Sequence, residues 1–123
     1  MSYKLLIIDD DEDIRLILMS VLSSVEGLEI EVAIDGVSAR QKLSAGATDG
    51  IILDYSLPDI SGETLLQEIS SGTFPQIPEV IMLSARDDPE ARDRWLELGA
   101  KAVLGKPFNP FELLQQLKAH LEI

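Results

Sequence analysis

Five polar residues, far apart in the chain, each fall where a short apolar run ends: Asp9, Asp10, Asp54, Ser84 and Lys106. Three carboxylates brought together repel one another, and each raises its neighbours' pKa unless a cation offsets the charge. Hard oxygen donors with room for water suit Mg²⁺ (or Mn²⁺), which keeps several waters and takes one or two carboxylates. A lysine adds a fixed positive charge, and a serine adds a donor that can rotate. Such a set suits phosphoryl transfer, in which metal and ammonium steady the equatorial oxygens while a carboxylate attacks. Taken singly, each residue has an ordinary explanation. Asp54 and Ser84 are common turn residues, Lys106-Pro107 is an ordinary loop before a helix, and acids after Asp10 complement a helix dipole. Only their shared position at strand ends carries the chemical reading.

That position depends on the elements around them. Gly50-Ile51-Ile52-Leu53 runs apolar without alternation into Asp54, the pattern of a strand buried on both faces. Pro58 and Ser61-Gly62 then force a loop before the next helix. Lys4 to Ile8 is a second fully buried strand, ending at Asp9-Asp10, and Glu79 to Leu83 is a third, ending at Ser84. Leu28 to Ile34 alternates, with Ile30, Val32 and Ile34 on one face and Glu29, Glu31 and Ala33 on the other, and so reads as an edge. Lys101 to Gly105 is short and also reads as an edge, ending at Lys106-Pro107.

Helical patterns fill the intervals. Ile14, Ile17, Leu18, Val21, Leu22 and Val25 form a stripe at helical spacing. Asp35-Gly36 opens a weakly patterned helix to about Ser44, closed by Gly46. A helix from about Gly62 to Ser70 turns Leu65, Leu66 and Ile69 inward. Asp88-Pro89-Glu90 is an N-cap with proline at the first helical position, opening a helix with Ala91, Trp95 and Leu98 inward that stops at Gly99. Asn109-Pro110-Phe111-Glu112 opens the last helix in the same way, with apolar positions at Phe111, Leu114, Leu117 and Leu121. Five strands alternating with five helices predict a doubly wound α/β fold, a parallel sheet covered on both faces.

Composition narrows the function. At 123 residues and 46% hydrophobic, the chain suffices for one globular domain, residues 1–123, with a real core. Without cysteine there is no disulfide, thiolate metal site or thiol nucleophile. No apolar run nears the roughly 20 residues of a membrane span, and no secretory signal is visible, so the expectation is a cytoplasmic protein. A formal charge of −12 argues against direct nucleic-acid binding, which relies on basic side chains meeting phosphates.

Ile7-Ile8-Asp9-Asp10-Asp11, the run from Leu53-Asp54 through Pro58 to Ser61-Gly62, Leu83-Ser84-Ala85 and Lys106-Pro107-Phe108 resemble the response-regulator receiver domains of two-component signalling. The likeness is collinear over nearly the whole chain, including Asp35-Gly36 and Leu98-Gly99-Ala100. It implies a flavodoxin-like (βα)5 fold with strand order 2-1-3-4-5. It implies that Asp54 accepts a phosphoryl group from a phosphohistidine on a sensor histidine kinase or histidine phosphotransfer protein. Asp10 would ligate Mg²⁺ directly, Asp9 largely through water, and Asp54 and the Ser56 carbonyl would complete the protein's ligands. Ser84 would donate to the attached phosphoryl group. Lys106 would pair first with Asp54 and then with that group, and its bond to Pro107 is typically cis in the family. Ser56 and Arg86 would flank the phosphoryl group and tune its lifetime. Partner binding would change on the face built by the fourth helix, fifth strand and fifth helix. An output domain or separate effector is implied, and a homodimer through the last two helices is compatible.

One position departs from the pattern. Three residues before the lysine many receivers carry an aromatic that turns inward on switching, and here Val103 stands there. That departure supports the alternative of a receiver-fold interaction module acting without phosphorylation. An enzyme with diffusible substrates fits less well. Haloacid-dehalogenase-like phosphatases need a second Asp two residues after the first, where this chain has Ser56. A flavodoxin-like cofactor site needs a hydroxyl- and Gly-rich loop after the first strand, where five acids would repel a phosphate.

Overall fold

The computed structural model describes residues 2–85 and 88–123. Five strands, β1 (Tyr3–Ile8), β2 (Leu28–Ala33), β3 (Gly50–Asp54), β4 (Glu79–Ser84) and β5 (Ala102–Gly105), alternate with five helices. The helices are α1 (Glu12–Leu22), α2 (Gly36–Ser44), α3 (Gly62–Ser70), α4 (Pro89–Glu97) and α5 (Pro110–Leu121). The strands form one parallel sheet in the order β2-β1-β3-β4-β5, the order that the resemblance implies.

The unbroken apolar runs follow from the two covered faces. Successive strand residues point to opposite sides, so Leu6, Ile8, Ile51, Leu53, Val80 and Met82 pack with buried residues of α2, α3 and α4. Leu5, Ile7, Ile52, Ile81 and Leu83 pack with those of α1 and α5. Each such fully buried side chain contributes at most ~1.5–3 kcal/mol from apolar burial. The β2 strand, at the edge, keeps the alternating exposure that its sequence announces.

Side-chain oxygens close the helix starts. Asp11 accepts from the Asp13 and Ile14 N–H groups, Ser61 from Thr64, Asp88 from Glu90 and Ala91, and Asn109 from Phe111 and Glu112. Each cap satisfies donors that have no partner inside the helix. Gly46 (φ 78°) and Gly99 (φ 112°) follow the last turns of α2 and α4 in the left-handed region that glycine tolerates. The Lys106-Pro107 peptide is cis.

Several apolar positions differ from the sequence pattern. On α5 the buried stripe is Leu113, Leu117 and Leu121, while Phe111 is 81% exposed. Two residues of helix turn through about 200°, so Phe111 points away from the face that Leu113 presents to the sheet. The α1 helix ends at Leu22, leaving Val25 beyond it, and only Leu18 and Leu22 of its stripe are fully buried. Ile34 lies past the end of β2 and is exposed, whereas Ala33, assigned to the outer face, is buried. Lys101 precedes β5 rather than opening it.

Candidate functional site

Register explains how distant residues meet. Ile8 pairs with Leu53, so Asp9 and Asp54 leave the sheet at the same level on adjacent strands. Asp54 pairs with Leu83, and Ser84 with Gly105, which sets Ser84 one step above Asp54 on β4 and Lys106 one step further on β5. All four sit at the carboxyl edge, where open α/β sheets bind their ligands. Together with Asp10, Asp11, Tyr55, Ser56 and Ala85 they line one open cleft.

The Lys106 ammonium donates to Asp9 Oδ2 and to Asp54 Oδ1, both at 3.0 Å. The sequence pattern pairs it with Asp54 alone, so Asp9 is an added partner. All three groups are largely withdrawn from water, Lys106 being 16% exposed, Asp9 2% and Asp54 8% by side chain. Asp9 is further fixed by the Asp11 N–H at its Oδ1 (2.9 Å) and by the Arg15 guanidinium at its carbonyl (2.9 Å). Burial pushes the Asp54 carboxyl above the usual carboxylate range and the Asp9 charge pushes it further, against the pull of Lys106 and the Ser56 N–H. Burial alone would lower the Lys106 ammonium, but its hydrogen bonds to Asp9 and Asp54 hold it above the ordinary lysine value.

Among the described residues, one ammonium faces three acids. Carboxylate oxygens of Asp9, Asp10 and Asp54 lie within 4.8 Å of one another, with Asp10 exposed to solvent. Lys106 leaves net negative charge at the cluster, all of its donors are hard oxygens, and one side opens to water. That donor chemistry fits a hydrated divalent cation such as Mg²⁺ better than a dehydrated or softer ion. Ser84 is buried beside the cluster at the end of β4. Arg86 lies outside the described residues.

The Ser56 carbonyl belongs to a loop with a defined frame. Ser56 and Ser61 form an antiparallel bridge at its base, and the Gly62 N–H donates to the Tyr55 carbonyl at 2.6 Å. A methyl at Gly62 would stand 2.8 Å from Tyr55 Cα and closer still to the Asp54 carbonyl, so backbone proximity demands glycine there.

Two further groups surround the site, and of their members only Trp95 carries a periodic signal in the sequence. The Tyr55 ring stacks on Trp95 of α4 with centroids 5.1 Å apart. The Trp95 indole N–H donates to Glu63 Oε1 at 2.8 Å, and Arg94 donates to the same oxygen at 2.6 Å. Asp59, at the loop tip, bonds to the start of α2. The sequence hints at them through the inward position of Trp95 and the proximity of Tyr55 and Asp59 to Asp54.

Residues 5–118 match the family model for the response regulator receiver domain. The chain is 36% identical over 121 residues to regulatory protein VanRc of Enterococcus gallinarum, covering 98% of this chain and 51% of that protein. It is 40% identical over 117 residues to transcriptional regulatory protein GltR of Pseudomonas aeruginosa, covering 95% and 48%. It thus spans about half the length of the curated relatives it matches. Among solved structures it resembles the chemotaxis response regulator CheY4 of Vibrio cholerae, with a TM-score of 0.86, 30% identity, and coverage of 98% of this chain and 99% of that one. It likewise resembles the BeF3-activated DrrB receiver domain, with a TM-score of 0.85, 30% identity and full coverage of both chains.

The chain belongs to the response regulator receiver family, with the CheY-like flavodoxin fold. Its class is a phosphorylation-controlled signalling domain rather than a classical enzyme. Receiver domains bind Mg²⁺ at an acidic pocket, and the Asp9-Asp10-Asp54 cluster is one that could hold the ion. Among the described residues, no helix is long and apolar enough to cross a membrane.

Proposed function

We propose that this chain is a single receiver domain, residues 1–123, whose Asp54 takes a phosphoryl group from a phosphohistidine in a Mg²⁺-dependent reaction. The single observation that carries the reading is the Lys106 ammonium held 3.0 Å from both Asp9 and Asp54 at the sheet's carboxyl edge. Asp10 and Asp54, the Ser56 carbonyl and, largely through water, Asp9 would hold the ion, which when bound neutralises charge on the phosphoryl oxygens. Asp54 Oδ2, not held by Lys106, attacks phosphorus as the P–N bond to the donor imidazole breaks. The bonding pair leaves with the imidazole nitrogen, and Asp54 becomes an acyl phosphate. Lys106 stays charged throughout and turns from the carboxylate to the new phosphoryl oxygens, to which Ser84 donates its hydroxyl hydrogen. Hydrolysis of the acyl phosphate at the same site resets the switch.

The donor is a sensor histidine kinase or histidine phosphotransfer protein, and the reader is an output domain or an effector. Relatives of about twice the length, among them two named as transcriptional regulatory proteins, favour the former. With Val103 where many receivers carry an aromatic, the readout runs through backbone and α4 shifts rather than aromatic rotation at β5. The −12 charge supports a domain that does not itself touch nucleic acid.

Incubation with Mg²⁺ and a small phosphodonor tests the reading. Intact mass should rise by one phosphoryl group, and the gain should vanish with chelator or in Asp54→Ala. An unchanged wild-type mass, together with partner affinity indifferent to the donor, would favour the non-phosphorylated interaction module.

A further inference from the structure

Two carboxylates, 24 positions apart in sequence, share the first turn of α2. Asp35, its N-cap, accepts from the Ser38 N–H at 2.8 Å in a capping box. Asp59 accepts from the two preceding groups, Oδ1 from the Gly36 N–H at 2.8 Å and Oδ2 from the Val37 N–H at 3.0 Å. Between them they satisfy the first three amides of the helix, which have no partner within it. The positive end of the helix dipole favours negative charge there. Asp59 Oδ1 also accepts from the Ile60 N–H at 3.0 Å, so the carboxylate is tied into its own loop as well. Gly36 permits the approach: a Cβ there would stand 2.6 Å from Ile60 Cγ1 and 3.1 Å from Asp59 Oδ1.

Asp59 lies three residues after Ser56, in the loop that follows Asp54. The loop's base is fastened by the Ser56–Ser61 bridge and by the Gly62 N–H on the Tyr55 carbonyl. Its tip reaches α2 through Asp59. Asp35, the N-cap, takes the Ser38 N–H, and Asp59 takes the Gly36 and Val37 N–H groups from a different loop. What Asp59 adds is a tether between α2 and the segment that carries Ser56.

We propose that Asp59 is a positioning residue for the metal site, holding the Ser56 carbonyl in place by anchoring its loop to the start of α2. The inference rests on the receiver reading of that site and names a residue on which Mg²⁺ affinity depends without contact to the ion. Groups that orient metal ligands commonly cost about 10- to 100-fold in affinity when removed. An exposed tether acting through three residues belongs at the low end, near tenfold.

The test compares two caps of the same helix. Mg²⁺ affinity, read by calorimetry, should fall about tenfold in Asp59→Ala and by less in Asp59→Asn, which keeps one acceptor oxygen. Asp35→Ala, which weakens α2 without touching the loop, should bind Mg²⁺ as the wild type does. In metal-free protein, hydrogen exchange across Tyr55–Ser61 should quicken in Asp59→Ala and not in Asp35→Ala. Unchanged Mg²⁺ affinity in Asp59→Ala, or equal losses in both alanine variants, would overturn the proposal. A wild type that takes up no Mg²⁺ would instead overturn the metal reading, and the exchange comparison would still decide whether Asp59 holds the loop.

Discussion

Replacing Lys106 by Met removes the ammonium that is hydrogen-bonded to the buried carboxylates Asp9 and Asp54 while keeping most of the side chain's apolar length. At 3.0 Å and an effective dielectric near 20, each ion pair is worth ~5.5 kcal/mol of Coulomb energy. Most of that is offset by the desolvation of the ammonium, 16% exposed by side chain, and of the acids. Breaking such a pair from one side costs about 3–5 kcal/mol, because the surviving charges stay buried. Asp54 has a partial escape, since its carboxyl already lies above the usual range and would rise further without the ammonium. An acid whose folded pKa is raised binds its proton more tightly in the native state. The variant's deficit is therefore full above that folded pKa, and shrinks as pH falls toward the unfolded carboxylate value. Urea unfolding of metal-free protein should show a loss of about 3 kcal/mol at neutral pH. The loss should diminish toward pH ~4 and be partly restored by Mg²⁺. A variant as stable as wild type at neutral pH, or a loss that does not respond to pH, would refute the claim that Lys106 compensates these carboxylates.

Asp54→Ala should stabilise the metal-free protein at neutral pH, because burial and the Asp9 charge hold the wild-type carboxyl above its ordinary value. The gain should fade as pH drops below the carboxylate range, as thermal melts across pH would show. Gly62→Ala should cost about 3 kcal/mol, since its methyl meets backbone of Asp54 and Tyr55, whereas Gly36→Ala meets only side-chain atoms, of Ile60 and Asp59, and should be milder. Chemical denaturation of the two variants gives that order or contradicts it. In α4, Trp95→Ala should lose about 3–5 kcal/mol and Trp95→Phe about 1–2 kcal/mol for the indole N–H on Glu63. Arg94→Ala should lose under about 1 kcal/mol, since that pair is partly exposed. Equal losses in these three would show that the ring pair is not what packs α4 on the Asp54 loop.

What the sequence made legible here were features of period and punctuation. The non-alternating runs at Leu5–Ile8, Ile51–Leu53 and Val80–Leu83 mark strands covered on both faces, and the polar residue after each run marks the edge where a ligand site forms. Asp88-Pro89 and Asn109-Pro110 announce helix starts through side chains that act within three residues. Contacts across many residues carry no such mark. The Asp59 bonds to backbone N–H groups of Gly36 and Val37, and almost any residue can offer an N–H. Glu63 meets Arg94 and Trp95 across 31 and 32 positions, on charges that also suit a solvated face. Asp9 as a second partner of Lys106 depends on register: Asp9 and Asp54 are level only because Ile8 pairs with Leu53. Phe111 misled because it fits an apolar period whose phase is set by the sheet, and that phase favours Leu113.

The most direct test of the account is fluorine NMR of the protein with beryllium fluoride, which places three fluorines where phosphoryl oxygens would lie. The account predicts bound resonances in the wild type with Mg²⁺, none with chelator, none in Asp54→Ala, and weaker binding in Lys106→Met. Bound resonances that persist without Asp54, or a wild type that never shows them at saturating Mg²⁺, would contradict it.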